Sequence, residues 1–212
     1  MKKLVFLAFS ALLIAAPAVA QTWQIDPAHS RAQFTARHFG ISNVRGDFYN
    51  LSGSAEYDGK DVTKAKVKAT IDVNTVTTHV AQRDTHLKSA DFFDVAKYPT
   101  MTFESTSITA AGAGKYKMTG NLTMHGVTKP VTFDLDAPSG VIIDPMNGAR
   151  RVGAAASATI NRKDFGVNYD GKLPNGTPSV SDEIKIQLDV ELLQPAAGGA
   201  PAAPGRGGRS TN

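Results

Sequence analysis

Apolar residues recur at every second position in several separate segments of the chain. Ala65, Val67, Ala69, Ile71 and Val73 alternate with Lys64, Lys66, Lys68, Thr70, Asp72 and Asn74. Ile184, Ile186, Leu188, Val190 and Leu192 alternate with Lys185, Gln187, Asp189 and Glu191. Val131, Phe133 and Leu135 repeat the pattern against Thr132, Asp134 and Asp136, and Ala32, Phe34 and Ala36 show it near the start. A period of two sends successive side chains to opposite faces, so these segments are predicted strands with one dry and one wet face. Asp58-Gly59, Ala111-Gly112-Ala113-Gly114, His125-Gly126, Asn147-Gly148 and Asp170-Gly171 supply turns between them. Short strands joined by local turns form an antiparallel meander. With about eight such strands, the dry faces can meet in a two-sheet sandwich or a closed barrel.

Between Thr77 and Tyr98 the alternation stops. Thr78 is placed to cap a short helix over His79 to Lys88, and Ser89 to cap a second turn over Ala90 to Asp94. Pro99 then returns the chain to extended geometry. An excursion of this length from a sheet is the kind that forms lids and binding loops.

The two ends differ from the body. Lys2 and Lys3, the apolar run Leu4 to Ala16 and the small residues Ala18-Val19-Ala20 form the three parts of an export signal, with cleavage expected after Ala20. That run is too short to span a bilayer, and nothing later is long enough. Gln21 follows the cut, where a lipid-anchored lipoprotein would need Cys. Residues 196–212 are mostly Ala, Gly and Pro, with too little apolar surface to offset ordering, and read as a disordered tail. Residues 21–195 remain as one domain, held without disulfides because the chain has no Cys.

The net charge of +4 comes entirely from these ends. Lys2, Lys3, Arg206 and Arg209 lie there and no Asp or Glu does, so of 23 basic residues 19 stay in the body, against 19 acidic ones. A neutral body gives no electrostatic reason for nucleic-acid binding.

Signatures of catalysis are absent from the sequence. It has no Cys nucleophile, no G-x-S-x-G elbow, no H-E-x-x-H pair and no phosphate loop, and His79 and His86 are too far apart on a helix to share a metal. Neither a cofactor nor a metal is therefore expected. What remains is apolar. Eight Phe follow the signal, of which Phe34, Phe103 and Phe133 sit on the dry phase of their strands, and Phe92 and Phe93 in the excursion. They can fill an ordinary core or line a cavity for a long apolar ligand. From Gly153 to Ala158 both faces of the strand are small, which leaves room if the alanines face inward.

Arg83-Asp84-Thr85-His86 is the polar cluster best suited to a ligand. Arg83 and His86 could meet the polar head of a ligand, with Asp84 orienting Arg83, or the cluster could make local helix contacts only. Asp26-Pro27-Ala28-His29-Ser30 reads as a structural turn, fixed by Pro27, that starts the first strand, and His125-Gly126-Val127-Thr128-Lys129-Pro130 as a hairpin turn. Arg162-Lys163-Asp164-Phe165-Gly166 reads as a solvated loop, with a second positive contact for a ligand as the alternative.

Seven runs in register carry a resemblance beyond these local readings. They are Trp23 to Ser30, Arg83 to Ser89, Asp91 to Asp94, Tyr98 to Ser105, Gly120 to Val131, Ile160 to Val167, and the alternating strand from Ile184. Their order and spacing resemble the YceI-like family of polyisoprenoid-binding periplasmic proteins, over roughly residues 22 to 193. The resemblance implies an all-β, antiparallel lipocalin-like barrel of about eight strands with a short helical excursion, and an interior wide enough for one small ligand. It implies a periplasmic, non-catalytic lipid-binding protein that transports or stores an isoprenoid quinone or isoprenoid phosphate. Phe34, Phe103, Phe133, Phe92 and Phe93 would hold the tail, and Arg83 and His86 the head group. Competing readings are a carrier of a fatty acid or fatty amide, an enzyme acting on the head group, and a filled barrel acting as a stress-response interaction module. The resemblance is compatible with a homodimer, for which the sequence shows no interface.

Overall fold

A computed structural model describes residues 21–195. The export-signal reading of residues 1–20 and the tail reading of residues 196–212 lie outside the described residues. The four alternating segments form strands as expected, within a set of eleven among the described residues: β1 (Gln21–Ile25), β2 (Arg31–His38), β3 (Ser42–Phe48), β4 (Ser52–Tyr57), β5 (Lys66–Asp72), β6 (Thr100–Ala110), β7 (Lys115–Met124), β8 (Val127–Asp136), β9 (Ile142–Ile143), β10 (Arg150–Asn161) and β11 (Val180–Gln194). Every pairing is antiparallel.

All but β9, which pairs only with the start of β10, make a closed barrel of eight staves. β2 pairs with β11 from His38 to Arg31, and β1 continues along the same edge of β11 at Ile25 and Gln24. They are two halves of one bent stave, and β3 and β4 form a second stave beside them. β5, β6, β7 and β8 follow as a meander, then β10, and β11 closes the ring. Arg150 to Asn161 of β10 stands against Gln194 to Glu183 of β11 without a break in register. Closure removes the sheet edges that would otherwise invite pairing with other chains.

The seam between β8 and β10 pairs only at Leu135–Ala156 and Asp134–Ser157. That suits Pro130, which cannot donate to a ladder and lies where β8 is paired to β7 alone. The run Asp26 to Ser30 joins β1 to β2 and does not start the first strand. Asp26 accepts from the Ala28 amide (3.0 Å), and the Ser30 hydroxyl accepts from the Glu191 amide (3.0 Å), so the bend is bonded to β11.

The excursion is shorter in helix than expected. Its helix, α1, covers Ala81–Lys88. His79 adopts a left-handed backbone (φ 61°), which keeps the helix from starting at that residue. Thr78 therefore does not cap it. Instead the Asp84 carboxylate reaches back to accept from the Thr78 amide (2.7 Å) and from the hydroxyls of Thr77 and Thr78. Ser89 accepts from the Asp91 amide (3.3 Å), and a turn through Phe92 and Phe93 leads on to Pro99. Among the described residues no helix is long and apolar enough to cross a membrane.

Candidate functional site

In a filled barrel the inward apolar side chains would all be buried. Here many are not. Ile184, Ile186, Leu188, Val190 and Leu192 of β11 and Val67, Ala69 and Ile71 of β5 point inward yet stay half-exposed, because they face open space. The larger space is an upper chamber at the α1 end, about 1200 Å³ counting its volume open to solvent. Gln33, Thr102 and Arg162 are the polar residues of a lining that is otherwise apolar. A cavity of that character favours an apolar ligand, since affinity there comes from area leaving water.

The structure brings the five expected phenylalanines to this chamber. Phe34 and Phe103 are half-buried wall residues, and Phe133 is buried beside Phe103 in an edge-on contact at 5.3 Å. Two glycines make room for the wall rings. A Cβ on Gly46 would overlap the Phe34 ring, and one on Gly120 would overlap the Phe103 ring. The excursion supplies a roof of Leu87, Phe92 and Phe93. Phe93 meets Phe48 edge-on at 5.5 Å, and Phe48 meets Phe34 at 5.6 Å, so roof and wall form one aromatic chain.

Arg83 and His86 lie on α1 but do not line the chamber. Arg83 Nε donates to the Thr78 hydroxyl (2.7 Å) and an Nη to the Thr78 carbonyl (3.0 Å), and no carboxylate pairs with it among the described residues. Asp84, which accepts from Thr77 and Thr78, reaches it only through the Thr78 hydroxyl, which donates to Asp84 and accepts from Arg83 Nε. Burial pushes the Asp84 carboxyl up, but those hydrogen bonds and the Arg83 charge outweigh it and hold it below the usual range. His86 Nε2 is 2.8 Å from Asp91, and its ring stands edge-on to both Phe92 and Tyr169. Phe92 and Tyr169 stack at 4.6 Å, so Tyr169 holds the roof from the loop after β10.

Arg162 corrects the expectation of a solvated loop. It starts a 3-10 turn, Arg162–Phe165, and is 5% exposed, while Phe165 is 2% exposed. Its guanidinium donates to Val167 O (2.6 Å), Ser181 O (3.0 Å) and Asp182 Oδ1 (2.8 Å), tying the turn to the start of β11 at the chamber wall. Burial pushes this guanidinium down, opposed by Asp182 and Asp170, and an arginine keeps its proton under such conditions.

At the other end of the barrel, Arg151 binds Asp26 (2.8 Å), Asp144 (2.9 Å) and Glu191. His29 Nδ1 lies 2.9 Å from Asp26. Asp26, His29 and Glu191 could geometrically hold a cation, but Arg151 already supplies the positive charge between the two carboxylates. Burial pushes the Asp26 carboxyl up, yet hydrogen bonds from His29, Arg151 and the Ala28 amide leave it below the usual range. The arrangement locks β1, β10 and β11 together.

Comparison with known proteins agrees with this architecture. The sequence profile described as the YceI-like domain matches residues 23–192. A UPF0312 protein of Pseudomonas aeruginosa is 42% identical over 87% of this chain and 93% of its own length. One from Yersinia pestis is 38% identical over 91% and 97%. Among solved structures, a Campylobacter jejuni YCEI protein is 32% identical with a TM-score of 0.63, covering 74% of this chain and 89% of that one. BcnA of Burkholderia cenocepacia matches at 24% identity and TM-score 0.66, over 79% and 98%. A polyisoprenoid binding domain from Saccharophagus degradans, implicated in plant cell wall breakdown, matches at 16% and 0.60, over 84% and 99%, a likeness of fold alone. Given a profile that spans nearly the whole described domain and relatives of this similarity, the chain belongs to the YceI-like family.

Proposed function

We propose that this protein is an exported, periplasmic, non-catalytic carrier that holds a polyisoprenoid-type lipid inside its barrel for transport or storage. The observation that carries the reading is the upper chamber, where inward apolar side chains from β5 and β11 face empty space. Leaving them unpacked forfeits dispersion and burial energy, a cost that an apolar ligand would recover. Phe34, Phe103 and Phe133 would contact the tail along the wall, and Phe92 and Phe93 would cover it. Arg83, which has no carboxylate partner among the described residues, and His86 would meet the head group just outside the roof. An isoprenoid quinone or isoprenoid phosphate is the ligand class to test first, because a barrel of this fold in Saccharophagus degradans is described as polyisoprenoid binding.

Thermal melting of delipidated protein tests the reading. Ligand at about a hundred times its Kd adds about 2.7 kcal/mol, or roughly 5–10 °C in Tm for a domain of this size. An isoprenyl phosphate or ubiquinone should give that rise. A larger rise with a long-chain fatty acid or fatty amide would favour a carrier of that class. Conversion of the head group would mean an enzyme, and no rise with any amphiphile would leave an interaction module.

A further inference from the structure

The barrel interior does not end at the upper chamber. Beyond it, at the Arg151 end, lies a second apolar space of about 610 Å³, counting its volume open to solvent. Tyr57, Ile108, Met118, Leu135, Ala154 and Ala156 are among its walls, and Leu188 and Val190 of β11 line both spaces. What separates them is about one side chain thick. Phe103 and Phe133 line the upper chamber, and Leu135, the next inward residue of β8, lines the lower. The outer edge of the Phe103 ring lies against Gly120, the small inward position of β7 between Leu122 of the upper chamber and Met118 of the lower. The lower space exists because β10 carries Ala154 and Ala156 in register with Val190 and Leu188. Ala154 is only half-buried, so the room beside it is not taken up by a neighbour.

We infer that the lower chamber is a second tail compartment, entered past the Phe103–Phe133 pair, and that Ala154 and Ala156 set the longest tail the barrel accepts. This rests on the upper chamber being a tail site. From Leu122 to Met118 is four residues along β7, about 13 Å of strand and about 10 Å of depth at the usual barrel tilt. A tail ending at the Phe103 floor leaves the lower chamber empty, and one about 10 Å longer fills it.

The test uses two probes with one head group, farnesyl phosphate and the two-unit-longer pentaprenyl phosphate, in competition against a fluorescent fatty-acid analogue on the delipidated protein. Each tail methylene kept out of an apolar site costs roughly fourfold in affinity. Ala154→Leu fills about three methylenes of space and should weaken pentaprenyl phosphate by about 60-fold while leaving farnesyl phosphate unchanged. Ala154→Val, a smaller fill that can be measured if the leucine variant does not fold, should give about 15-fold. Equal weakening of both probes, or of neither, would overturn the two-compartment inference. Failure of both probes to bind the unmodified protein would instead refute the tail-site reading it rests on.

Discussion

Gly46 faces Phe34 directly across the β2–β3 ladder and is buried. A Cβ there would overlap the outer edge of the Phe34 ring and come within 3.0 Å of the Thr77 carbonyl. Gly46 does not have a positive φ, so alanine is compatible with its backbone, and the conflict is with the ring. Gly46→Ala should therefore force Phe34 off the wall and into the upper chamber. Overpacking of this kind costs about 1–3 kcal/mol, offset by up to about 1 kcal/mol because alanine restricts the unfolded chain. A net loss of about 1–2 kcal/mol corresponds to a fall of roughly 2–8 °C in Tm. Thermal melts of the delipidated protein, with urea titrations as a second measure, would record it. The cause is tested by the double variant. Once Phe34→Leu has removed the ring edge, adding Gly46→Ala should cost nothing further, a coupling of at least about 1 kcal/mol. Additive losses would refute the claim that this glycine exists to seat the Phe34 ring.

Other expectations follow from the same geometry. Arg162→Met leaves the Val167 and Ser181 carbonyls without their donor, at about 1–3 kcal/mol for each buried group; a melting temperature within error of the unmodified protein would contradict the buried-anchor role. His29 is raised above the ordinary histidine value by its hydrogen bond to Asp26 and by that carboxylate's charge. A raised folded-state value contributes stability below the unfolded value of about 6.5 and loses it as pH rises through the folded one. The unmodified protein should thus melt above His29→Ala at about pH 5–6, and the gap should close toward about pH 8; a gap independent of pH would show that the Asp26 contact is not ionic. Arg83→Ala should weaken an isoprenyl phosphate far more than a quinone, by about 1.5–3 kcal/mol for a charge-assisted hydrogen bond; equal loss for both, or none, would assign Arg83 only to its Thr78 contacts.

Four strands, β2, β5, β8 and β11, were legible from alternation, because one buried face imposes a period of two; that they close into a barrel came from the family resemblance. That pattern also placed Phe34, Phe103 and Phe133 on the inward phase. It could not reveal that the interior is hollow, since a filled and an empty barrel demand the same alternation. The hint was Ala154, Ala156 and Ala158, small residues where β11 beside them carries Val190, Leu188 and Ile186. Arg162 was illegible for a different reason. It sits in the polar run Asn161 to Asp164, and its burial depends on carbonyls at Val167 and Ser181, which only the fold brings to it. The same holds for Tyr169 against Phe92, and for Arg151 among Asp26, Asp144 and Glu191, partners far apart in sequence. That ten strand segments make eight staves was likewise hidden, because the bends at Asp26–Ser30 and Tyr49–Leu51 read as ordinary strand ends.

The most direct test of the central claim is the content of the barrel itself. The protein would be purified from its native compartment without detergent, extracted with organic solvent, and the extract analysed by mass spectrometry against a parallel extract of Phe103→Trp, whose larger ring narrows the chamber. The account predicts an isoprenoid lipid in near-stoichiometric amount from the unmodified protein and a reduced amount from the variant. An extract free of amphiphile, or one of equal content from both proteins, would contradict it.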